Sequence, residues 1–173
     1  NTLPLFLDIP NGILLETYRK LKSTQSHVSQ AKIADDVPLM RAAFPKENLM
    51  ALRKWKAAID ELDSPLGEIF LLLFFACLES TSYTSKDGQF LRLKKSKTPD
   101  RPDEAIKRKV LEAEEDLVKV RHLWRLNTLP KCFPKFMLGD SRNLSDIPFE
   151  SKPTAVITSP PYANRYDYSR SYC

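Results

Sequence analysis

Glycine is sparse in this 173-residue chain: Gly12, Gly67, Gly88 and Gly139 are its four, and no two are near each other. A loop that brings backbone close to a phosphate or a cofactor uses glycines clustered within a few residues. No such loop is readable here. Cysteine and histidine are sparser still. Cys77, Cys132 and Cys173 are widely separated, form no CxxC pair, and are joined by only two histidines. Neither a disulfide framework nor a metal site is readable, and a reducing, cytoplasmic setting is the default expectation. Long apolar runs are also missing. The longest, residues 69–78, has ten residues, about half of what a membrane span needs. Nothing at the amino end reads as a signal peptide, so no membrane partner is expected.

What the chain does have is ordinary globular composition with an uneven charge. It is 28% charged and 42% hydrophobic, with a formal net charge of +5. Residues 86–109 hold nine basic residues against four acidic, an excess equal to that of the whole chain. Within them, Arg92, Lys94, Lys95 and Lys97 follow Phe90, with Tyr83 and several hydroxyl residues just upstream. Cations interleaved with hydroxyls and aromatics suit a phosphate backbone, and a solvated loop has the same composition. Both readings stay open at this point. Asp87-Gly88 favours a turn, and the run of Ser and Thr before it competes with helix for backbone groups.

The remainder is mainly helical by pattern. Ile13, Leu14, Thr17, Tyr18 and Leu21 share one face of a helix over residues 12–22. Residues 23–36 are polar, with a weaker helical signal over residues 28–34, and His27 sits alone in that stretch as a polar surface residue. Leu49, Leu52, Trp55, Ile59 and Leu62 form a stripe over residues 46–62, which makes Trp55 core rather than a platform for a base. Ser64 as N-cap and Pro65 at the first helical position open the next helix. Its apolar run is unbroken on all sides, which predicts the central buried helix. Ile106, Val110, Ala113, Leu117, Val120 and Trp124 alternate at spacings of four and three. That spacing predicts a helix of about six to seven turns over residues 102–126, packed on a core. His122, near its basic end, suits the helix dipole.

Close to the carboxyl end the pattern changes. Thr154-Ala-Val-Ile-Thr-Ser-Pro-Pro-Tyr162 reads as a short buried strand, with Val156 and Ile157 at its centre, running into a rigid loop. Two consecutive prolines fix φ and remove two N–H donors, which leaves nearby carbonyls free to accept. The Ser159 hydroxyl and the Pro160 carbonyl can accept from an exocyclic amine, and Tyr162 offers a flat face to a base. Phe136-Met-Leu-Gly-Asp140 reads as an earlier strand, with residues 141–152 as a compact connection.

Ser159-Pro-Pro-Tyr162 resembles the catalytic motif of the S-adenosylmethionine-dependent amino-methyltransferases that act on cytosine N4 or adenine N6 in DNA. Gly139-Asp140 upstream and Ala163-Asn-Arg-Tyr-Asp-Tyr168 downstream resemble their surroundings in that family, and Asp87-Gly-Gln-Phe-Leu-Arg92 loosely resembles another of its stretches. The resemblance implies an α/β, Rossmann-like methyltransferase fold, of which this chain is mostly α-helical with two or three parallel strands. Residues 1–135 would be a mainly helical region inserted between sheet strands, and residues 136–173 two strands and the catalytic loop of a truncated core. Ser159, Pro160, Pro161 and Tyr162 would be the catalytic residues. Asp140 would sit beside the adenine of S-adenosylmethionine. Asp8, at the end of a possible edge strand, would grip the ribose, unless that segment is a simple extended arm. Arg92, Lys94, Lys95 and Lys97 would contact DNA.

The family's glycine-rich cofactor motif has no counterpart among four scattered glycines. The chain is therefore expected to be a fragment or half of an enzyme, inactive alone, that binds S-adenosylmethionine weakly or not at all without a second polypeptide carrying that motif. Cytosine N4 is favoured over adenine N6, because Ser rather than Asp opens the motif. Two other classes remain: a non-catalytic basic helical module that binds nucleic acid, and an amino-methyltransferase acting on RNA or protein.

Overall fold

The computed structural model describes residues 9–25, 38–87, 90–125, 137, 143 and 154–158. Helices dominate. In chain order they are α1 (Ile13–Thr24), α2 (Pro38–Ala43), α3 (Lys46–Asp60) and α4 (Leu66–Cys77), followed by strands β1 (Thr84–Asp87) and β2 (Phe90–Leu93) and the long helix α5 (Pro102–Arg125).

The stripes read from the sequence form the core. Leu14, Tyr18 and Leu21 of α1, Leu52, Trp55 and Ile59 of α3, Ile69, Phe70 and Phe74 of α4, and Ile106, Val110 and Leu117 of α5 belong to one buried cluster. Helix α5 contacts α1, α3 and α4, and this explains why its seam is so regular: it is the element shared by the others. Trp55 has no exposed surface. It stacks on Tyr18 at 5.5 Å between ring centroids, and its indole N–H donates to Asp103 Oδ1 at 2.7 Å. A buried Trp N–H left without an acceptor would offset part of the gain from burying the ring, and the first turn of α5 supplies the acceptor.

Long-range polar contacts fix where helices begin. Gly12 caps α1 with a left-handed φ of 82°, a conformation that favours glycine. No side chain of its own caps the helix. Instead the Glu114 carboxylate of α5 accepts from the N–H groups of Gly12 (3.0 Å), Leu14 (2.8 Å) and Leu15 (3.3 Å). The orphan donors of a helix start and its positive dipole end are thus met by an acid a hundred residues away in the chain. Arg121, two turns further along α5, donates to Asn11 Oδ1 and to the Ile9 carbonyl. At the other end, Asn48 of α3 donates from one amide nitrogen to the carbonyls of Thr81 (2.8 Å) and Asp100 (2.9 Å), tying both flanks of the hairpin to α3.

Four expectations need correction. Ser64 does not cap α4: its hydroxyl donates to the Glu68 carboxylate at 2.9 Å, and the helix starts at Leu66 with Pro65 as N-cap. Helix α4 is not buried on all sides, for Leu72 is 59% and Phe75 55% exposed. Its neighbours α3 and α5 cover one side, and no other described element packs heavily on it. Val156 and Ile157 are not a buried strand; they lie outside regular structure and are 78% and 99% exposed. A parallel strand needs partners on its edges to satisfy its backbone, and the described residues supply none. Finally, the one sheet among them is an antiparallel pair, β1 with β2, in register Thr84 to Leu93 and Ser85 to Arg92. It forms where the sequence reads as a turn and loop, whereas the earlier of the two expected parallel strands, over residues 136–140, falls outside the described residues apart from Met137, which is exposed. The helical reading of residues 28–34 and the strand reading near Asp8 also fall outside the described residues.

Candidate nucleic-acid interface

The basic stretch is a hairpin followed by the start of α5. Thr84 and Ser82 anchor it from below: both are buried, and their hydroxyls share a hydrogen bond of 2.6 Å. The Ser82 hydroxyl also accepts from the Thr84 N–H and donates to the Glu79 carbonyl. Those hydroxyl residues, read from the sequence as helix breakers and as candidate phosphate contacts, close the α4-to-β1 connection. The Asp87-Gly88 turn signal falls where β1 ends, with Asp87 opposite Phe90. The pairing itself had no period-2 signal to announce it, because Thr-Ser-Lys-Asp offers no alternation of apolar and polar residues.

The four predicted contact residues are not equivalent. Arg92, Lys94 and Lys95 are exposed, whereas Lys97 is half-buried. Among the described residues, neither the Lys94 nor the Lys95 ammonium has an acidic partner, and both stand at the edge of the hairpin beside β2. Lys97 is engaged with the fold: its ammonium donates to the carbonyls of Glu79 and Thr84, each at 2.6 Å. Nothing in the sequence separates Lys97 from its neighbours; only the folded path brings those two carbonyls to it.

Further along, positive charge is partly neutralised. Arg108 pairs with Asp100 at 2.6 Å and Lys109 with Glu112 at 2.5 Å. The hydrogen bond from Arg108 holds the Asp100 carboxyl below its ordinary value. Its stabilising contribution is therefore present above the usual carboxylate range and is lost as pH falls through the depressed value. Both partners are well exposed, so the effect is small. A concavity of about 690 Å³ lies between α3 and the start of α5, and Lys22, Glu47, Asn48, Arg101, Asp103 and Glu104 are among its walls. With both signs of charge around it, it is not an anion site. Among the described residues no group of three or more His, Cys, Asp or Glu is placed to hold a metal ion, and no helix is long and apolar enough to cross a membrane.

The remaining predicted site residues, Ser159, Pro160, Pro161, Tyr162, Asp140 and Asp8, lie outside the described residues. The two described glycines are committed to the fold. The Gly12 N–H is bonded to Glu114, and a Cβ on Gly67 would come within 2.6 Å of the Leu62 carbonyl oxygen. Neither is free to form a cofactor loop.

No family model matches the chain, and neither does any solved structure. Curated relatives do match. The chain is 32% identical over 160 residues, 78% of its length, to the Type II methyltransferase M.BsoBI of Geobacillus stearothermophilus. It is 29% identical over 172 residues, 92% of its length, to the Type II methyltransferase M.AvaI of Nostoc sp. and of Anabaena variabilis. The chain is similar to Type II methyltransferases. It spans about a third of the length of these relatives, 35% of M.AvaI and 31% of M.BsoBI. The resemblance drawn from Ser159-Pro-Pro-Tyr162 pointed to methyltransferases as well, and the long matches extend it over the helical part, where the sequence alone carried only a loose likeness.

Proposed function

We propose that this chain is a part of a DNA amino-methyltransferase of the restriction-modification type, carrying a basic helical region and the catalytic loop of a Rossmann-like core. The observation that carries the reading is the similarity to Type II methyltransferases over 92% of the chain, joined to the one motif in it whose chemistry suits an exocyclic amine. The substrate is a base flipped from the duplex, since its amino nitrogen cannot be reached inside the stack. Cytosine N4 is favoured over adenine N6.

In this reading the Ser159 hydroxyl and the Pro160 carbonyl accept hydrogen bonds from the amine and draw its lone pair out of conjugation with the ring. Pro161 stiffens the loop, and Tyr162 stacks on the base. So held, the amine nitrogen would be aimed at the methyl carbon; the N–C bond would form as that carbon's bond to the sulfonium sulfur breaks, leaving the neutral thioether, and the amine would release one proton to solvent. S-adenosylmethionine, when bound, supplies that methyl as an electrophile on a sulfonium. The residues of this chain fit only one side of such a cofactor, with Asp140, and with Asp8 as a second candidate. The glycine-rich loop comes from outside these 173 residues, from the rest of a longer chain or from a second polypeptide. Helical residues 1–135 and core residues 136–173 are the corresponding division.

The test is methyl transfer from labelled S-adenosylmethionine to duplex DNA, RNA and protein, by the chain alone and in the presence of the polypeptide that carries the glycine-rich loop. The expected result is transfer to DNA in the second case only, lost in Ser159→Ala and Tyr162→Ala, with N4-methylcytosine on nucleoside digestion. Calorimetry on the chain alone should give no cofactor binding tighter than about millimolar, where a few contacts yield roughly 4 kcal/mol. Transfer to RNA or protein but not DNA would overturn the substrate, and micromolar binding by the chain alone would overturn the half-site.

A further inference from the structure

Lys97 stands out from the other cations of the hairpin by what it touches. The Glu79 carbonyl, two residues past the end of α4, accepts from the Ser82 N–H (3.2 Å), the Ser82 hydroxyl (2.9 Å) and the Lys97 ammonium (2.6 Å). The same ammonium reaches the Thr84 carbonyl at the first residue of β1 (2.6 Å). A cation at the carboxyl end of a helix is favoured by the dipole, and charge-assisted hydrogen bonds are about twice as strong as neutral ones. Two of the three donors of the ammonium are thus directed into the fold. The chain between is a tight turn. The Lys97 N–H donates to the Lys94 carbonyl at 3.0 Å, and the Lys94 N–H donates to the Tyr83 carbonyl at 2.7 Å. Lys94 and Lys95 therefore sit on a turn closed at one end by Tyr83, just before β1, and at the other by Lys97.

We propose that Lys97 is a positioning residue for nucleic-acid binding: it pins the turn of residues 94–97 to the end of α4 and to β1, and so presents Lys94 and Lys95 as a fixed pair to adjacent phosphates. This rests on the reading of the hairpin as a DNA contact, and it takes Lys97 out of the set of contacting residues. The physical reason is preorganisation. A lysine side chain on a mobile turn loses backbone and rotamer freedom on reaching a phosphate, whereas a pinned turn has met the backbone part of that cost in folding.

The test is fluorescence anisotropy of a labelled DNA duplex titrated with the whole chain between about 50 and 200 mM salt. Lys94→Ala with Lys95→Ala should flatten the slope of log affinity against log salt by about 1.8, at roughly 0.9 per phosphate contact. Lys97→Met should weaken binding by about three- to tenfold, the range a net hydrogen bond represents, with the slope unchanged. That loss should be restored by Lys97→Arg and should vanish in the Lys94→Ala, Lys95→Ala background, because Lys97 acts only through that pair. Flattening by about 0.9 in Lys97→Met would mean that Lys97 contacts a phosphate itself, and would overturn the proposal. So would an unchanged affinity, or a tenfold loss that persists without Lys94 and Lys95. If Lys97→Met does not fold, Lys97→Gln decides: it removes the charge but keeps N–H donors, so an unchanged slope supports positioning and a flattened one overturns it. If Lys94→Ala with Lys95→Ala leaves the slope of the native chain untouched, the DNA-contact reading fails and the inference fails with it, an outcome distinct from every failure of Lys97 alone.

Discussion

Helices α4 and α5 pack against each other, yet their sequences announce burial in opposite ways. Helix α5 is rich in charge and buries a narrow seam spaced by threes and fours. Helix α4 is apolar nearly all round but buries only Ile69, Phe70, Phe74 and Cys77, leaving Leu72 and Phe75 in the open. Periodicity names a face because only a face can satisfy it, whereas uniform apolarity names no face at all. What α4 covers is decided by its neighbours. The sharpest way to break this comparison is to delete a side chain that α4 does bury. Phe70→Ala should cost about 3–5 kcal/mol, as large-to-small changes at a fully buried aromatic do, read from the midpoint of urea unfolding. A loss below about 1 kcal/mol would mean that the packing of α4 on α5 is not the core of this region.

A smaller effect is expected where α5 acts through polarity. Glu114 accepts three N–H groups at the start of α1, so Glu114→Ala should destabilise by about 1–2 kcal/mol, the scale of a lost cap. Glu114→Gln should cost less, because an amide oxygen still accepts while the charge facing the dipole is lost. If both variants unfold with the native midpoint, α1 is held by its apolar face alone.

The distinction between seam and cap also explains what could be read from the chain. Three helices, α1, α3 and α5, are legible because their apolar residues recur with the helical period, which also marks Trp55 as core, whereas α4 is legible only from its proline start and unbroken apolar run. The cap from Glu114 was not legible: it joins residues a hundred positions apart, and no local pattern encodes such a pair. The Lys97 latch escaped for the same reason, and the β1–β2 pairing escaped because β1, Thr-Ser-Lys-Asp, lacks the alternation that Leu91-Arg92-Leu93-Lys94 shows. The run before Ser159 misled differently. Val156 and Ile157 have strand composition, but a strand of a parallel sheet exists only beside its partners, and the described residues hold none for it. The candidate catalytic loop was legible as chemistry, a Ser and two prolines before a Tyr, independent of its surroundings. Its geometry was never in the sequence to be read.

The smallest effect tests the outer face of α4. Leu72 and Phe75 are more than half exposed, so each has already left most of its surface in water, and folding this chain gains little from them. Leu72→Gln and Phe75→Gln keep a good helix former at each position, which removes propensity as a cause of any change. Urea unfolding of the single variants should shift by no more than about 0.5 kcal/mol, the range of ordinary surface substitutions, and the double variant should be the sum of the two within about the same margin. Phe70→Ala, one turn away on the inner face of the same helix, serves as the internal control. A loss near 2 kcal/mol at either outer position, the value for withdrawing such a side chain from a buried site, would place that residue inside the core. The all-round apolar pattern would then have been the better guide to α4, and its one-sided burial would be wrong.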